Sequence, residues 1–362
     1  MTIAAFRTAA CLAAAMALWG TAMPTGHAQQ GPAAPVQWID VHVHPFGGVG
    51  QDTDYRSAMD ELLGIMKDNN MAKAIVMPTP QGDSGSRSSW DIEDFLDLAR
   101  AHPERLAVMG GGGSLNKMIH AESPDGKVSD ELKARFRKRA DDILAKGAIG
   151  FGEMSILHIS LLENHTFESV NGDHPLLLML ADIAAQKDVP IDIHFDLVAE
   201  DMPSADWLSQ PPNPAMFKRN LDGFERLLAH NRKARIVWAH AGSDNLGQWT
   251  AQLSREMLAR HPNLYMSLRL NIGRGGHKKN NPLAETGLKP HWQQVFVEFP
   301  DRFVIGGDQF FTPPGNRSFV AKFAKAAGVI RKRTNIFLSR LPPDIARKIG
   351  YENAIRIYKL KP

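Results

Sequence analysis

Eight short runs of β-branched and apolar residues recur along this chain, each followed by a stretch with helical spacing. This alternation narrows the fold more than any other feature. The runs are V-Q-W-I-D-V-H-V-H (36–44), K-A-I-V-M-P (73–78), R-L-A-V-M-G (105–110) and A-I-G-F-G-E-M (148–154), then P-I-D-I-H-F (190–195), R-I-V-W-A-H (235–240), L-Y-M-S-L-R-L (264–270) and R-F-V-I-G-G-D (302–308). In the first interval Met59, Leu62, Leu63 and Met66 fall on one face of a 3.6-residue period. The spacing predicts helices over 56–69, 92–102, 130–146, 176–187, 214–231, 249–260 and 292–299, with Asp91 capping the second. Parallel strands need such crossovers, and eight β-α units predict a closed (β/α)₈ TIM barrel. Extra C-terminal helices are expected over 318–327, 335–338, 343–349 and 353–358. The rival is an open doubly wound sheet, but the first turn, H-P-F-G-G-V-G, lacks the G-x-G-x-x-G spacing. M-G-G-G-G-S (109–114) lacks the lysine of a phosphate-cradling loop. Residues 36–360 therefore read as one domain. The Gly- and Ser-rich connection 78–89 is expected to line or cover a pocket.

The first 28 residues are of another kind. Arg7 precedes an apolar stretch from Thr8 to Trp19, and Gly26 and Ala28 stand at minus three and minus one of a cleavage point. This is the layout of a secretory signal peptide, and the stretch is shorter than the ~20 residues that span a bilayer. It implies a secreted or periplasmic protein with no stable membrane insertion after cleavage. The one cysteine, Cys11, lies in this segment, so the remainder needs no disulfide. Charge is nearly balanced, 42 basic against 39 acidic residues, which gives no sign of a nucleic-acid partner. The basic clusters at 133–139 and 331–333 read as solvated helix faces.

Ionisable residues fall where strands should end. His42 and His44 close the first run, Glu153 the fourth, His194 the fifth, His240 the sixth and Asp308 the eighth. In a parallel barrel these ends share the face that carries the reaction loops. Taken singly, each has an ordinary reading as a hydrogen-bonded pocket residue or a cap. Together, four imidazoles and two carboxylates would be costly to bury without a cation. Strand alternation turns His42 and His44 into the barrel mouth, gives Asp40 the same facing one layer deeper, and points Val41 and Val43 at the outer helices. Arg269, ending the seventh run, is a candidate for binding an anionic substrate group, with a salt bridge across the mouth as the alternative. Arg87 is a second substrate-binding candidate. Arg274, His158, His165 and Asp196 lie near the same face.

These motifs resemble the amidohydrolase superfamily, and more closely its amidohydrolase 2, or amidohydrolase-related, group. I-D-V-H-V-H-P, V-I-G-G-D-Q-F and I-G-Y-E-N-A-I-R-I-Y-K-L carry the likeness, from about Trp38 to Leu360. The resemblance implies that His42, His44 and Asp308 hold a more buried divalent metal and that His194 and His240 hold a second. Glu153 would bridge the two in place of the carboxylated lysine of many members. Asp308 would also serve as the proton acceptor, and His240 would orient the water where only one metal is held. Zinc is favoured, and manganese or iron would suit the donors too. The implied activity is hydrolysis of a small-molecule ester, lactone or amide. The alternative is decarboxylation of an aromatic or unsaturated acid by single-metal relatives, which commonly lack the strand-four ligand. A solute-binding protein on a decayed barrel is disfavoured because no ligand is missing. Homo-oligomerisation is left open.

Overall fold

A computed structural model describes residues 36–47, 53–81, 91–161, 167–209, 212–271, 279–316 and 320–362. The leader expected at 1–28, with Cys11, as well as Arg87, His165, Arg274 and most of the 78–89 connection, lies outside the described residues. Eight strands, β1 (Trp38–Pro45), β2 (Met71–Val76), β3 (Leu106–Val108), β4 (Phe151–His158), β5 (Pro190–Phe195), β6 (Arg235–Ala241), β7 (Leu264–Leu268) and β8 (Phe303–Ile305), pair in the order 3-2-1-8-7-6-5-4. All these pairings are parallel. The sheet closes because Gly110–Gly111, continuing directly from β3, pairs in parallel with β4. This is the (β/α)₈ barrel that the alternation predicts.

One main helix follows each strand: α1 (Tyr55–Asp68), α2 (Leu96–Arg100), α3 (Asp130–Ala145), α4 (Pro175–Lys187), α5 (Leu221–His230), α6 (Ala251–Arg260), α7 (Pro290–Glu298) and α8 (Val320–Arg340). Local chemistry sets their starts. Asp54 accepts from the Ser57 amide at 2.9 Å, Ser129 from Leu132 at 3.1 Å and Thr250 from Leu253 at 3.1 Å, each relieving an orphan N–H of a first turn. Their apolar stripes, such as Leu132, Phe136, Ala140 and Ile143 on α3, are buried. Three helical segments depart from expectation: the helix expected over 92–102 is a 3₁₀ turn, Ile92–Asp94, capped by Asp91 and followed by the short α2. α5 starts seven residues late because Met216–Phe217 pairs antiparallel with Met202–Pro203, and the separate helices expected at 318–327 and 335–338 belong to the single α8.

The core has two layers. Trp38, Val43, Ala74, Val76, Ile191, Ile193 and Trp238 pack outward among the helices. Ile39, Val41, Ile75, Met77, Met109, Val237 and Val304 fill the barrel with Ala354, Ile357 and Tyr358. The last three belong to the C-terminal helix Asn353–Tyr358. That helix closes the end where strands begin, since Asn353 donates to the carbonyls of Pro300 and Phe303, each at 2.8 Å. The basic cluster at 331–333 is not wholly a solvated face. Arg331 donates to Gln309 at 2.8 Å, and Arg333 reaches the carbonyls of Leu270 and Leu283. Among the described residues no helix is long and apolar enough to cross a membrane.

Candidate metal centre

The strands that carry the candidate ligands are irregular at the ligand positions. On β1 the register passes from Asp40↔Ala74 to Val43↔Val76, so three residues advance against two. The extra residue is a β-bulge, which re-aims side chains. Its consequence corrects the facing read from simple alternation: Val41 and His42 are successive inward residues, and Asp40 points outward. There Asp40 accepts from the Gly307 amide at 2.8 Å and from Gln309 Nε2 at 2.5 Å, tying β1 to the strand-eight segment. Burial pushes its carboxyl up to about 6 despite those bonds. A Cβ at Gly307 would stand 2.7 Å from Asp40 Oδ2, so only glycine allows this approach. On β4 the register slips between Phe151↔Ile191 and Met154↔Ile193, at Glu153. On β6 it slips between Trp238↔Met266 and Ala241↔Leu268, at His240. His240 and Asp308 also have left-handed backbone, φ 72° and 47°. For side chains other than glycine this costs energy and persists where the surroundings enforce it, commonly at functional sites.

All six predicted ligands converge. Glu153 lies at the centre with its two oxygens facing different histidine pairs. Oε1 is 2.9 Å from both His194 Nδ1 and His240 Nε2. Oε2 is 3.4 Å from His42 Nε2 and 3.3 Å from His44 Nε2. Within each pair the inward nitrogens stand 3.0 Å apart. Asp308 adds Oδ1 at 3.3 Å from His44 Nε2, while its Oδ2 receives Arg269 at 2.6 Å. Arg269 thus spans the mouth as a salt bridge, one of the two roles its position allows.

The donors suit divalent cations. Two imidazole nitrogens bound to one tetrahedral zinc stand about 3.4 Å apart, given ligand distances of about 2.1 Å, close to the spacing within each pair. Candidate donor atoms in the groups His42–His44–Glu153, His42–His240–Asp308 and Glu153–His194–His240 lie within 4.8 Å of one another. On two of the four histidines the other nitrogen has a hydrogen-bond partner, as ligating histidines usually do, and on a third it faces a carboxylate in an ion pair. His44 Nδ1 meets the Met77 carbonyl at 3.0 Å, His42 Nδ1 meets Asp192 Oδ1 at 3.0 Å, and His194 Nε2 meets Asp196 Oδ2 at 3.1 Å.

Electrostatics follow from burying these groups together. Burial would lower the His42 and His194 imidazoles. Asp192 and Glu153 outweigh it at His42, holding it well above the usual histidine range, and Asp196 with Glu153 brings His194 to about 10. At His240 burial prevails and the ring is held below its usual range. Burial would raise Glu153 and Asp308, but the histidines outweigh it at Glu153, and Arg269, His240 and His44 do so at Asp308. Both stay ionised well below the usual carboxylate range. The centre is an anionic field ringed by neutral or cationic donors, the setting in which cations displace protons.

The family is decided by a match along the barrel: the amidohydrolase family model covers residues 39–360. The chain belongs to the amidohydrolase family. Its members are metal-dependent enzymes acting on small molecules, and this amidohydrolase carries the His/Glu clusters of a divalent-metal site. Searching curated protein sequences gave no match. Among solved structures, the chain is similar to amidohydrolase 2 from Bifidobacterium longum subsp. infantis, with a TM-score of 0.46 and 13% identity over 90% of this chain and 100% of that one. It is also similar to a dihydroorotase from Campylobacter jejuni, with a TM-score of 0.43 and 15% identity over 90% and 84% of the two chains. A third is 5-carboxyvanillate decarboxylase from Sphingomonas paucimobilis, with a TM-score of 0.43 and 12% identity over 90% and 100%.

Sequence reasoning missed two residues at the amidohydrolase centre. Asp192 carried a usable signal, because it stands two before His194 on a strand and so shares its face. Asn116 carried none. Its side chain donates to the Glu153 carbonyl at 2.8 Å and accepts from the Ser155 amide at 3.0 Å, holding the backbone on both sides of the β4 irregularity. His158, which the sequence places near the same face, stands edge-on to His194 with ring centroids 4.3 Å apart.

Proposed function

We propose that this amidohydrolase holds two divalent cations bridged by Glu153 and hydrolyses an ester, lactone or amide bond of a small molecule. The observation that carries this reading is the division of the Glu153 carboxylate, one oxygen toward each histidine pair. His42, His44 and Asp308 hold one cation, His194 and His240 the other. Zinc suits the donor set best, with manganese or iron as alternatives.

Bound cations of this kind supply a water of lowered pKa and polarise the substrate carbonyl. The protein does the rest. Asp308 Oδ1 faces the centre and receives the proton of the attacking water, then returns it to the leaving group. Arg269 fixes that carboxylate through Oδ2, and Arg269 and Arg87 are the residues proposed to recognise an anionic substrate group. His240 shares the Glu153 Oε1 side of the centre as a ligand, and it would orient the reacting water only if a single cation were held. Residues 1–28 act as a cleaved leader, giving a secreted or periplasmic enzyme whose domain spans 36–360.

Decarboxylation of an aromatic or unsaturated acid is the competing chemistry. The inward Glu153 weighs against it, since the decarboxylases that the sequence resembles commonly lack a strand-four ligand. The test is metal content per chain in wild type and in Glu153→Ala, beside a panel of lactones, esters, amides and aromatic acids. Two ions in wild type, fewer in the variant, and turnover of a lactone, ester or amide are expected. One tightly held ion, unchanged in Glu153→Ala, would defeat the bridge and shift the assignment to decarboxylation.

A further inference from the structure

A single strand supplies a carboxylate to each half of the centre. β5 and the residue after it read Asp192-Ile193-His194-Phe195-Asp196. Ile193 and Phe195 pack outward into the helical layer, so alternation turns Asp192, His194 and Asp196 to the interior together. The two aspartates then part company. Asp192 reaches across the barrel to His42 Nδ1 at 3.0 Å, and His42 belongs to the pair facing Glu153 Oε2. Asp196 meets His194 Nε2 at 3.1 Å, and His194 belongs to the pair facing Oε1.

We infer that Asp192 and Asp196 are positioning residues for two separate cation pockets, so that each pocket is weakened by neutralising its own aspartate. This rests on the two-cation reading above. A carboxylate on the outer nitrogen of a ligating imidazole fixes its tautomer, holds its ring plane and makes the inward nitrogen a stronger donor. His42 and His194 are the members of their pairs held in this way. Of their partners, His44 has the Met77 carbonyl, a neutral acceptor, and His240 Nδ1 has no carboxylate against it among the described residues; the Asp192 carboxylate faces His42 Nδ1 as an ion pair, without the aligned hydrogen bond that joins Asp196 to His194. Each half-site thus has one charge-supported imidazole and one without that support.

The two aspartates differ in how else they are held. Asp196 also accepts from the Ile159 amide at 3.0 Å and from Asn245 Nδ2 at 2.8 Å, so the loops after β4 and β6 fix its direction. Asp192 is fully buried, neither oxygen has a hydrogen-bond partner among the described residues, and the 3.0 Å ion pair with His42 Nδ1 is its contact with the centre. Its charge therefore acts on the centre through His42 alone. The amide of Asp192→Asn keeps the shape and removes that charge.

The experiment is zinc stoichiometry and stepwise chelator competition on the purified full chain, for wild type, Asp192→Asn and Asp196→Asn. Each variant is expected to keep one zinc with affinity within about threefold of wild type and to bind the other 10–100-fold more weakly, the loss usual when such a partner is removed. Double variants assign the pocket. Adding His44→Ala to Asp192→Asn should leave the surviving zinc in place, whereas adding His194→Ala should remove it. Asp192→Ser repeats the measurement if the asparagine variant does not fold. Two zinc ions held at wild-type affinity in the Asp192 variants overturn the inference, as does loss of both ions together in either single variant. A wild-type chain that takes up only one zinc overturns both this assignment and the two-cation reading beneath it.

Discussion

Arg269 Nη1 forms an ion pair with Asp308 Oδ2 at 2.6 Å while Oδ1 of the same carboxylate faces His44 at 3.3 Å, so one aspartate is divided between a guanidinium and the candidate centre. Both side chains are largely buried, 17% and 13% exposed. Arg269→Gln removes the counter-charge and leaves the carboxylate without it, a loss of about 3 kcal/mol for a pair of this kind. A bound cation can replace the guanidinium as partner. The variant should therefore be destabilised by about that amount in chelated protein and by less than half as much when loaded. Thermal unfolding in both states measures this, and an equal loss in the two would show that Asp308 does not face a cation.

The same burial makes the metal a folding ligand. A cation that binds only the folded chain adds about 4 kcal/mol per site at a thousandfold excess over its Kd. Chelation should lower the unfolding midpoint, and restoring zinc should raise it. The chain with both His44→Ala and His240→Ala should respond to neither treatment. Identical midpoints for wild type with and without chelator would mean that no cation binds the native state.

What the sequence disclosed about this centre, and what it hid, has a physical division. Strand ends are set by local patterning, so His42, His44, Glu153, His194, His240 and Asp308 could be placed on one face from their positions in eight similar runs. Facing within a strand depends on strict alternation, and the β1 bulge breaks it. Val41 therefore lies inside the barrel and Asp40 outside, opposite to the sequence-based expectation. Bulges arise from pairing with a neighbouring strand, and nothing in I-D-V-H-V marks the extra residue. Asn116 was hidden for a similar reason. Its importance comes from two backbone groups of β4, 37 and 39 positions away in sequence. Arg333 was misjudged because its carbonyl partners, Leu270 and Leu283, belong to a distant segment of chain.

Asn116 should be one of the costliest polar positions to change. It is fully buried, and its amide donates to the carbonyls of Glu153 and Gly112 while its oxygen accepts from Ser155. Asn116→Ala strands those groups, costing about 2–4 kcal/mol, and frees the backbone that aims Glu153. Asn116→Asp should be worse, since a carboxylate can accept from Ser155 but has nothing to donate to two carbonyls. Chemical denaturation ranks the variants, and zinc content reports the effect on Glu153. A stable Asn116→Asp chain with normal zinc content would refute the clamp.

His174 gives a pH dependence separable from the metal centre. It caps α4: Nδ1 accepts from the Leu176 amide at 3.2 Å, and Nε2 donates to the Ser123 carbonyl at 2.7 Å. Both bonds require the neutral ring, and burial holds its pKa below the usual 6.5. The unfolded chain therefore takes up this proton first as pH falls. The stabilisation is complete above about 6.5 and is lost as pH drops from there toward the depressed folded value. His174→Asn keeps a capping oxygen but does not titrate. Wild type should exceed it by about 1 kcal/mol at pH 7.5, the worth of the lost hydrogen bond to the Ser123 carbonyl, and the gap should narrow at pH 5.5. Urea unfolding of the two chains at both pH values cancels contributions common to them, including those of the metal-site histidines. A gap unchanged or wider at the lower pH would show that His174 is not held neutral in the fold.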